Sequence, residues 1–168
     1  MKRILLSISL LVVILIAVSC GTSRKAVTTP PLATTTLECT QITSDGNFIV
    51  DVQGNGRNAD AATEDALVNA IRGLLFEGIP GSTVNRIQSQ KPLVQDASVR
   101  VAKHDYFQHF FDSGDYRLYV EKLPNVLPRV MKVNGSYKVK VSVILNKQML
   151  RQRLEKDGII KSLGAPFK

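Results

Sequence analysis

The strongest constraint on the fold is an abrupt change of hydrophobic period after residue 54. In the segment FIVDVQG, Phe48, Val50 and Val52 alternate with polar residues, which predicts a strand with one buried face. From Asn58 onwards the apolar residues instead recur every three or four positions, which predicts a helix capped by Asn58 or Asp60. Small residues form a seam along this helix at Ala62, Ala66, Ala70 and Gly73. Such a seam predicts a helix that packs closely on a sheet.

The turn between these elements has the G-x-G-x-x-A spacing of a dinucleotide-binding turn, at Gly54, Gly56 and Ala59. That function requires a parallel βαβ unit with an acidic residue at the end of its second strand. The predicted helix instead runs into EGIPGSTVNRIQSQKP, which contains no clear hydrophobic strand. We therefore expect no cofactor, and we predict that the glycines let the chain leave a strand and turn sharply into a helix.

The remaining patterns predict one α+β domain over residues 36–168, with a mostly antiparallel sheet packed by two or three helices. The elements expected before residue 124 are strands at 36–42 and 48–54, the helix from residue 58, a loop at 79–95, a helix at 97–111 and a strand at 116–123. Asp45-Gly46 is a turn signal between the first two strands. The predicted order of elements is β-β-α-α-β-β-β-α.

A hairpin and a helix complete the predicted domain. Asn134-Gly135 is the favoured two-residue turn between two β-like segments, NVLPRVMKV and SYKVKVSVIL. Asn146 is positioned to cap the last helix, and Gly158 to end it. The residues expected to point inward from this helix are Met149, Leu150 and Leu154.

Residues 1–19 predict an export signal. Lys2 and Arg3 precede an apolar segment at 4–18, which is shorter than the about 20 residues that a transmembrane helix needs. The ending A-V-S-C-G resembles the bacterial lipobox, which implies cleavage before Cys20 and a lipid on its thiol. The alternative is an ordinary signal peptide, or an anchor, in which the cysteine is coincidental.

Residues 20–35 are rich in Thr and Pro and predict a flexible tether after the lipidated cysteine. Gly21 follows Cys20, whereas some bacteria retain lipoproteins at the inner membrane through an Asp at that position. We therefore expect the outer membrane rather than the inner one, with the domain in the periplasm. The membrane is therefore a predicted partner, which the protein contacts through the lipid at Cys20.

Charge and cysteine content bear on the other partners. The formal charge of +8 falls to +6 when Lys2 and Arg3 leave with the signal, and no block of five like charges occurs. Nucleic acid is not expected as a partner of an exported chain. An envelope protein, anionic lipid headgroups or a cell-wall polymer is a candidate partner of the basic chain, and a merely solvated surface is the alternative. Cys39, the second of two cysteines, predicts a small buried strand residue. A free reactive thiol or an intermolecular bridge is the alternative.

Six of the ten aromatic residues lie within 14 positions. They are Tyr106, Phe107, Phe110, Phe111, Tyr116 and Tyr119. A helix buries one stripe, and the adjacent pairs in this segment span a wider arc than a stripe needs. The segment is therefore either ordinary core covered on two sides or an aromatic face that contacts a partner or a membrane surface. These six residues are the candidate partner-binding residues.

No catalytic or metal-binding residue is predicted. Cys39 could pair with His104 or His109 only if the fold brought them within hydrogen-bond reach, and no local signature supports that pairing. Ser113 lacks the G-x-S-x-G context of a hydrolase nucleophile. The spacing of three nearby acids does not match a calcium loop. Those acids are Asp105, Asp112 and Asp115.

The chain resembles small bacterial lipoproteins of the LPP-twenty type, and is similar to the N-terminal module of the flagellar T-ring assembly protein. The resemblance rests on the lipobox at Cys20, the strand that ends in GNG, the Ala-stepped helix, and the segment YKVKVSVILNKQML. It covers residues 45–157 and implies an envelope-anchored α+β module without catalytic residues. We predict a non-enzymatic interaction or scaffolding module. A module that binds a small ligand or a cell-wall polymer is the alternative.

Overall fold

A computed structural model describes residues 37–162. Over this range the chain forms a five-stranded antiparallel sheet packed against three helices of seven or more residues, which confirms the predicted α+β class. The predicted export signal at 1–19, Cys20 and the predicted tether at 20–35 lie outside the described residues.

The predicted order of strands is confirmed, and the order of helices differs only in that the helix expected at 97–111 is divided in two. The strands are β1 (Glu38–Ile42), β2 (Phe48–Gly56), β3 (Val120–Lys122), β4 (Arg129–Val133) and β5 (Ser136–Leu145). The helices are α1 (Ala59–Phe76), α2 (Ala97–Ala102), α3 (His104–Asp112) and α4 (Lys147–Lys156), and a 3₁₀ helix (Asp115–Tyr119) precedes β3. The loop expected at 79–95 contains two isolated antiparallel bridges, Ile79 with Gln90 and Ser82 with Ile87.

The long strand β5 organises the sheet. It pairs with β2 along one edge, and β1 pairs with the far side of β2. On the other edge of β5, β3 pairs with residues 143–145 and β4 with residues 136–140. Because β3 and β4 run in the same direction along the same edge, they form one outer strand, interrupted by the loop at 123–128.

One face of the sheet is buried and the other is open. The side chains of β2 and β5 that are buried on the face of α1 are Phe48, Val50, Val52, Val139, Val141, Val143 and Leu145. The alternate positions of the same strands are mostly polar, apart from the apolar pair Ile49 and Ile144 near one end. Gln53, Asn55 and Lys138 are exposed, whereas Asp51 and Lys140 are half-buried. We call this polar side the open face. An antiparallel sheet tolerates such a face because its polar side chains meet water.

Two glycines allow α1 to lie directly on β2. A Cβ atom added at Gly54 would lie 2.1 Å from the carbonyl oxygen of Ala62, and one at Gly56 would lie 2.4 Å from the amide nitrogen of Ala62. Asn58 caps α1 by accepting a hydrogen bond from the Ala61 amide at 2.7 Å. The strands that flank this turn pair only antiparallel within residues 37–162. The glycines therefore serve close packing, and the parallel unit of a dinucleotide site is not formed there.

The hairpin and the last helix follow the predicted pattern, with one exception. Asn134 and Gly135 take positive φ values of 49° and 80°, as a type I′ turn requires. Asn146 caps α4 by accepting from the Met149 amide at 2.9 Å, and Gly158 follows the helix with φ 67°. Leu150 and Leu154 are buried as expected. The inward position predicted for Met149 is wrong, because its side chain is 40% exposed.

Two predicted elements differ from the structure in the middle of the chain. The helix expected at 97–111 breaks at Lys103, where φ is −110° and ψ is 25°. The strand expected at 116–123 begins instead as a 3₁₀ helix and is extended only from Val120. Tyr116 and Tyr119 are both buried. Residues three apart lie on one side of a 3₁₀ helix but on opposite faces of a strand, so only the helix buries both rings.

We expect Gly54→Ala to lower the free energy of unfolding by about 3 kcal/mol, since the new methyl group would overlap backbone atoms of α1 that cannot rotate away. Urea unfolding of the purified mature protein measures the change. Asn55→Ala is the matched control, because this neighbouring side chain is exposed and its loss should cost no more than about 0.5 kcal/mol. Equal costs for the two variants would contradict close packing at Gly54.

Candidate functional site

The aromatic segment belongs to the core. Four of the six candidate residues are buried, namely Phe107, Phe110, Tyr116 and Tyr119. Tyr106 and Phe111 are half-buried and pack against that core. The ring centroids of Phe107 and Phe76 are 5.0 Å apart in an edge-to-face arrangement. This burial supports the core interpretation and leaves the rings little surface to offer a partner.

The wide arc of the aromatic segment is covered from two sides. On one side the Arg72 guanidinium of α1 lies 5.1 Å from the centre of the Phe111 ring. On the other side the Tyr106 hydroxyl donates a hydrogen bond to Asp157, beside α4, at 2.7 Å. Because α1 and α4 both contact the segment, adjacent aromatic residues can pack in the same core without an exposed aromatic face.

Two clusters of one tyrosine, one carboxylate and one arginine hold this segment in place. Glu64 on α1 accepts hydrogen bonds from the Tyr116 hydroxyl and, at 2.8 Å, from Arg117 Nε. Asp157 accepts from Arg153 and from Tyr106. Each cluster joins the aromatic segment to a neighbouring helix, so both are positioned to stabilise the domain.

The charges in these clusters shift the pKa values of their members. Burial opposes ionisation of Glu64, but the hydrogen bonds from Tyr116 and Arg117 outweigh it and lower the carboxyl pKa. Burial, followed by the hydrogen bond to Glu64, raises the pKa of Tyr116 to about 12. The hydrogen bonds from Arg153 and Tyr106 lower the pKa of Asp157. At neutral pH the carboxylates are therefore ionised acceptors and the phenols are neutral donors.

The residues considered for nucleophilic chemistry are not brought together. Cys39 is a free, buried thiol in β1, as predicted, and burial raises its pKa. The exposed His104 and His109 lie on α3, and neither is hydrogen-bonded to that thiol. Ser113 makes only local bonds at the end of α3, donating to the Phe110 carbonyl at 3.4 Å. The geometry therefore adds no support for catalysis by these groups.

The described residues also bear on metal binding and on membrane spanning. Over residues 37–162, no group of three or more His, Cys, Asp or Glu side chains is placed to hold a metal ion. The same part of the chain contains no helix that is long and apolar enough to span a bilayer.

A polar cleft lies on the open face and is the first candidate site. Lys140 Nζ is 2.7 Å from Glu38 Oε2 and 3.3 Å from Asp51 Oδ2, and the hydrogen bond to Glu38 raises the lysine pKa. Ser142 donates to Asp51 at 2.6 Å. Beside this network is a cleft of about 420 Å³. Its polar lining residues include Glu38, Asp51, Gln53, Lys140, Ser82 and Thr83.

The hairpin of β4 and β5 is the second candidate site. Every residue of β4 is exposed, and among the described strands β4 pairs only with β5, so its other edge is free. The exposed apolar residues of β4 and the loop before it are Val126, Leu127, Val130, Met131 and Val133. The sequence alone could not identify this surface, because a segment with three apolar residues in five, such as RVMKV, is equally typical of a buried strand.

The hairpin is also strongly basic. Between Glu121 and Glu155 the chain has eight basic residues and no acidic one. Arg129 lies directly opposite Lys140 in the β4–β5 register, and like charges at such positions repel. Glu38 and Asp51 neutralise Lys140, whereas neither Arg129 nor Lys138 forms an ion pair within residues 37–162. An anionic partner would relieve this uncompensated charge.

Comparisons with family models, with curated proteins and with solved structures give no significant match to this chain. The resemblance to LPP-twenty lipoproteins therefore stays a prediction that rests on the motifs quoted above.

We expect the stability of the domain to fall as the pH is lowered through the acidic range, partly because of Glu64 and Asp157. Their folded-state pKa values are lowered, so their contribution is fully present above the unfolded value of about 4 and is lost below it. Urea midpoints measured from about pH 7 to about pH 3 should fall less steeply in Glu64→Gln/Asp157→Asn. Asp45→Asn, in the exposed β1–β2 turn, is the control. A profile unchanged by the double substitution would contradict this role.

Proposed function

We propose that this protein is a lipid-anchored component of the bacterial cell envelope whose α+β domain is a non-enzymatic interaction or scaffolding module. The observation that carries the proposal is the free edge of β4, with exposed apolar side chains next to uncompensated basic ones. Unpaired strand edges are normally shortened, covered or charged because they invite pairing with other molecules. An edge that keeps this much apolar surface is typical of a contact site.

The opposite edge of the sheet supports this assignment by contrast. The side-chain amide of Asn85, from the loop after α1, donates to the Cys39 carbonyl of β1 at 3.3 Å. A loop thus covers part of the β1 edge, whereas no described strand pairs with the outer edge of β4. The β4 edge is therefore the better candidate for contact with another envelope component.

The chemistry of the titratable groups also favours a non-enzymatic role. Catalytic groups with shifted pKa values usually gather in a cleft. Glu64 and Asp157, whose pKa values are lowered, lie outside the open-face cleft and join the aromatic segment to neighbouring helices. In the cleft, the raised pKa of Lys140 follows from its hydrogen bond to Glu38. We therefore infer that Glu64 and Asp157 stabilise the fold rather than take part in catalysis.

The location of the protein is proposed from its N-terminus. The lipobox-like ending supports a lipid on Cys20, and Gly21 favours the outer membrane, with the domain in the periplasm. Two or more acyl chains hold a protein stably to a bilayer, as a modified lipoprotein cysteine would provide.

We expect mass spectrometry of the detergent-extracted protein to find the mature chain beginning at a lipid-modified Cys20. In Cys20→Ala the lipid mass should disappear and the uncleaved precursor should accumulate, because the acceptor thiol is gone. Cys39→Ala is the matched control and should keep the lipid, since that thiol is buried inside the domain. A wild-type N-terminus without lipid would refute the anchor.

A second candidate function is binding of a small ligand or a cell-wall polymer in the open-face cleft. It is favoured by the convergence of Glu38, Asp51 and Lys140 on one cleft, since a few oriented polar groups in a concavity are typical of ligand sites. Its weakness is that these charges already neutralise one another.

Calorimetric titration with soluble peptidoglycan fragments tests this second function. If the cleft binds them, Lys140→Met should weaken binding by about tenfold or more, because a charged hydrogen bond is worth about 1.5–3 kcal/mol. Lys132→Met, on β4 outside the cleft, should leave binding unchanged. Absence of binding by the wild type, or equal loss in both variants, would remove the cleft as the site.

A further inference from the structure

The described domain begins opposite the middle of β2. Glu38 lies opposite Asp51, and β1 runs antiparallel to β2, away from its Gly56 end. Tyr137, next to the hairpin turn, lies opposite Gly56. Leu37 is therefore separated from the hairpin turn by two strand spacings across the sheet, about 10 Å, and by about four residues along the strands, about 13 Å.

The number of residues before the domain limits its distance from the proposed anchor. Sixteen residues, 21–36, lie between Cys20 and the first described residue, Leu37. A lipid on Cys20 would therefore tether the domain to the bilayer through no more than these residues.

We propose that the β4–β5 hairpin docks on the anionic phospholipid surface of the membrane to which the chain is anchored. The inference rests on the proposed lipid anchor at Cys20. Arg129 and Lys138, which share one face of the hairpin with Met131, meet the phosphate groups. The exposed apolar residues Leu127 and Met131 enter the boundary between headgroups and acyl chains.

The charge of the hairpin fits this surface. No acidic residue lies between Glu121 and Glu155, so nothing in this segment repels an anionic headgroup. Arg129 and Lys138 have no ion-pair partner in the described part of the chain, and so bind phosphate without giving up an existing pair. Each basic residue at an anionic surface strengthens association by about fivefold.

The apolar residues fit the same surface. Leu127 is 89% exposed and Met131 is 62% exposed. Basic residues interspersed with exposed apolar ones are typical of segments that lie in the membrane interface.

Two other possible occupants of this surface, a partner strand and a second copy of the chain, fit less well than a lipid surface. A partner strand paired with β4 would leave Leu127 uncovered, because that residue lies in the loop before the strand. A second copy of the chain would bring Arg129 and Lys132 of both copies together without an acidic residue nearby in the hairpin. A lipid surface covers the loop and the strand together and supplies the missing negative charge.

Site-specific fluorescence quenching in vesicles tests the proposal. The full mature lipidated protein, with Met131→Cys carrying an environment-sensitive fluorophore, is reconstituted into phosphatidylcholine vesicles with or without phosphatidylglycerol. Nitroxide-labelled lipids quench a probe that lies at the bilayer surface. Ser44→Cys, in the exposed β1–β2 turn at the opposite end of β2, is the matched control position. The buried Cys39 thiol is protected from labelling.

We expect quenching at position 131 in vesicles that contain phosphatidylglycerol, and little at position 44. Arg129→Gln/Lys138→Gln should lower the ratio of docked to free hairpin about 25-fold, from two losses of about fivefold each. Lys103→Gln/Lys156→Gln, which removes two exposed charges outside the hairpin, should leave the ratio unchanged. Added salt should weaken docking, because it screens surface charges.

The outcomes distinguish failure of the docking proposal from failure of the lipid-anchor proposal. Flotation of the protein with vesicles, together with equal quenching at positions 131 and 44 or quenching independent of phosphatidylglycerol, would overturn docking and leave the anchor intact. Cross-linking of Met131→Cys between two copies, or to a partner strand, without lipid quenching would also overturn it. Failure to float, with no lipid mass on Cys20, would refute both proposals.

Discussion

The close approach of α1 to β2 is the contact on which the rest of the domain depends. Gly54 and Gly56 bring the strand backbone against the helix at Ala62 and Ala66, without an intervening layer of side chains. The small residues of α1 face the sheet for the same reason. The opposite parts of α1 then contact the aromatic segment, through Glu64 near its start and Phe76 at its end. One helix thus positions both the sheet and the second layer.

This packing covers one face of the sheet and leaves the other face and one edge to water. On the open face, Lys140 is neutralised by Glu38 and Asp51, so this charge is compensated inside the domain. Along the β4 edge, Arg129 forms no ion pair with another described residue, and the apolar side chain of Met131 is exposed. The polar groups of the cleft neutralise one another, whereas the β4 edge keeps an unpaired basic residue beside exposed apolar ones. For this reason we assign the proposed function to the hairpin rather than to the cleft.

Several features could be predicted from local sequence because local chemistry determines them. Asn58 and Asn146 cap helices through their own side chains, and Asn134-Gly135 adopts a turn that few other pairs tolerate. The middle of the chain could not be predicted in the same way. Tyr116 forms part of a 3₁₀ helix because this geometry buries it together with Tyr119, and burial is a property of the assembled core. Propensity alone does not contain that information.

The sequence by itself determined the fold class, the small-residue seam of α1 and the ends of several helices, because periodicity and capping act over a few residues. Only the tertiary structure decided which apolar residues are buried. The aromatic rings of Phe107 and Phe110 are inside because α1 and α4 flank them. Met131 and Leu127 are outside because no element within residues 37–162 covers the β4 edge. Hydrophobicity is the same in both sets, and only packing between elements distant in the chain separates core from contact surface.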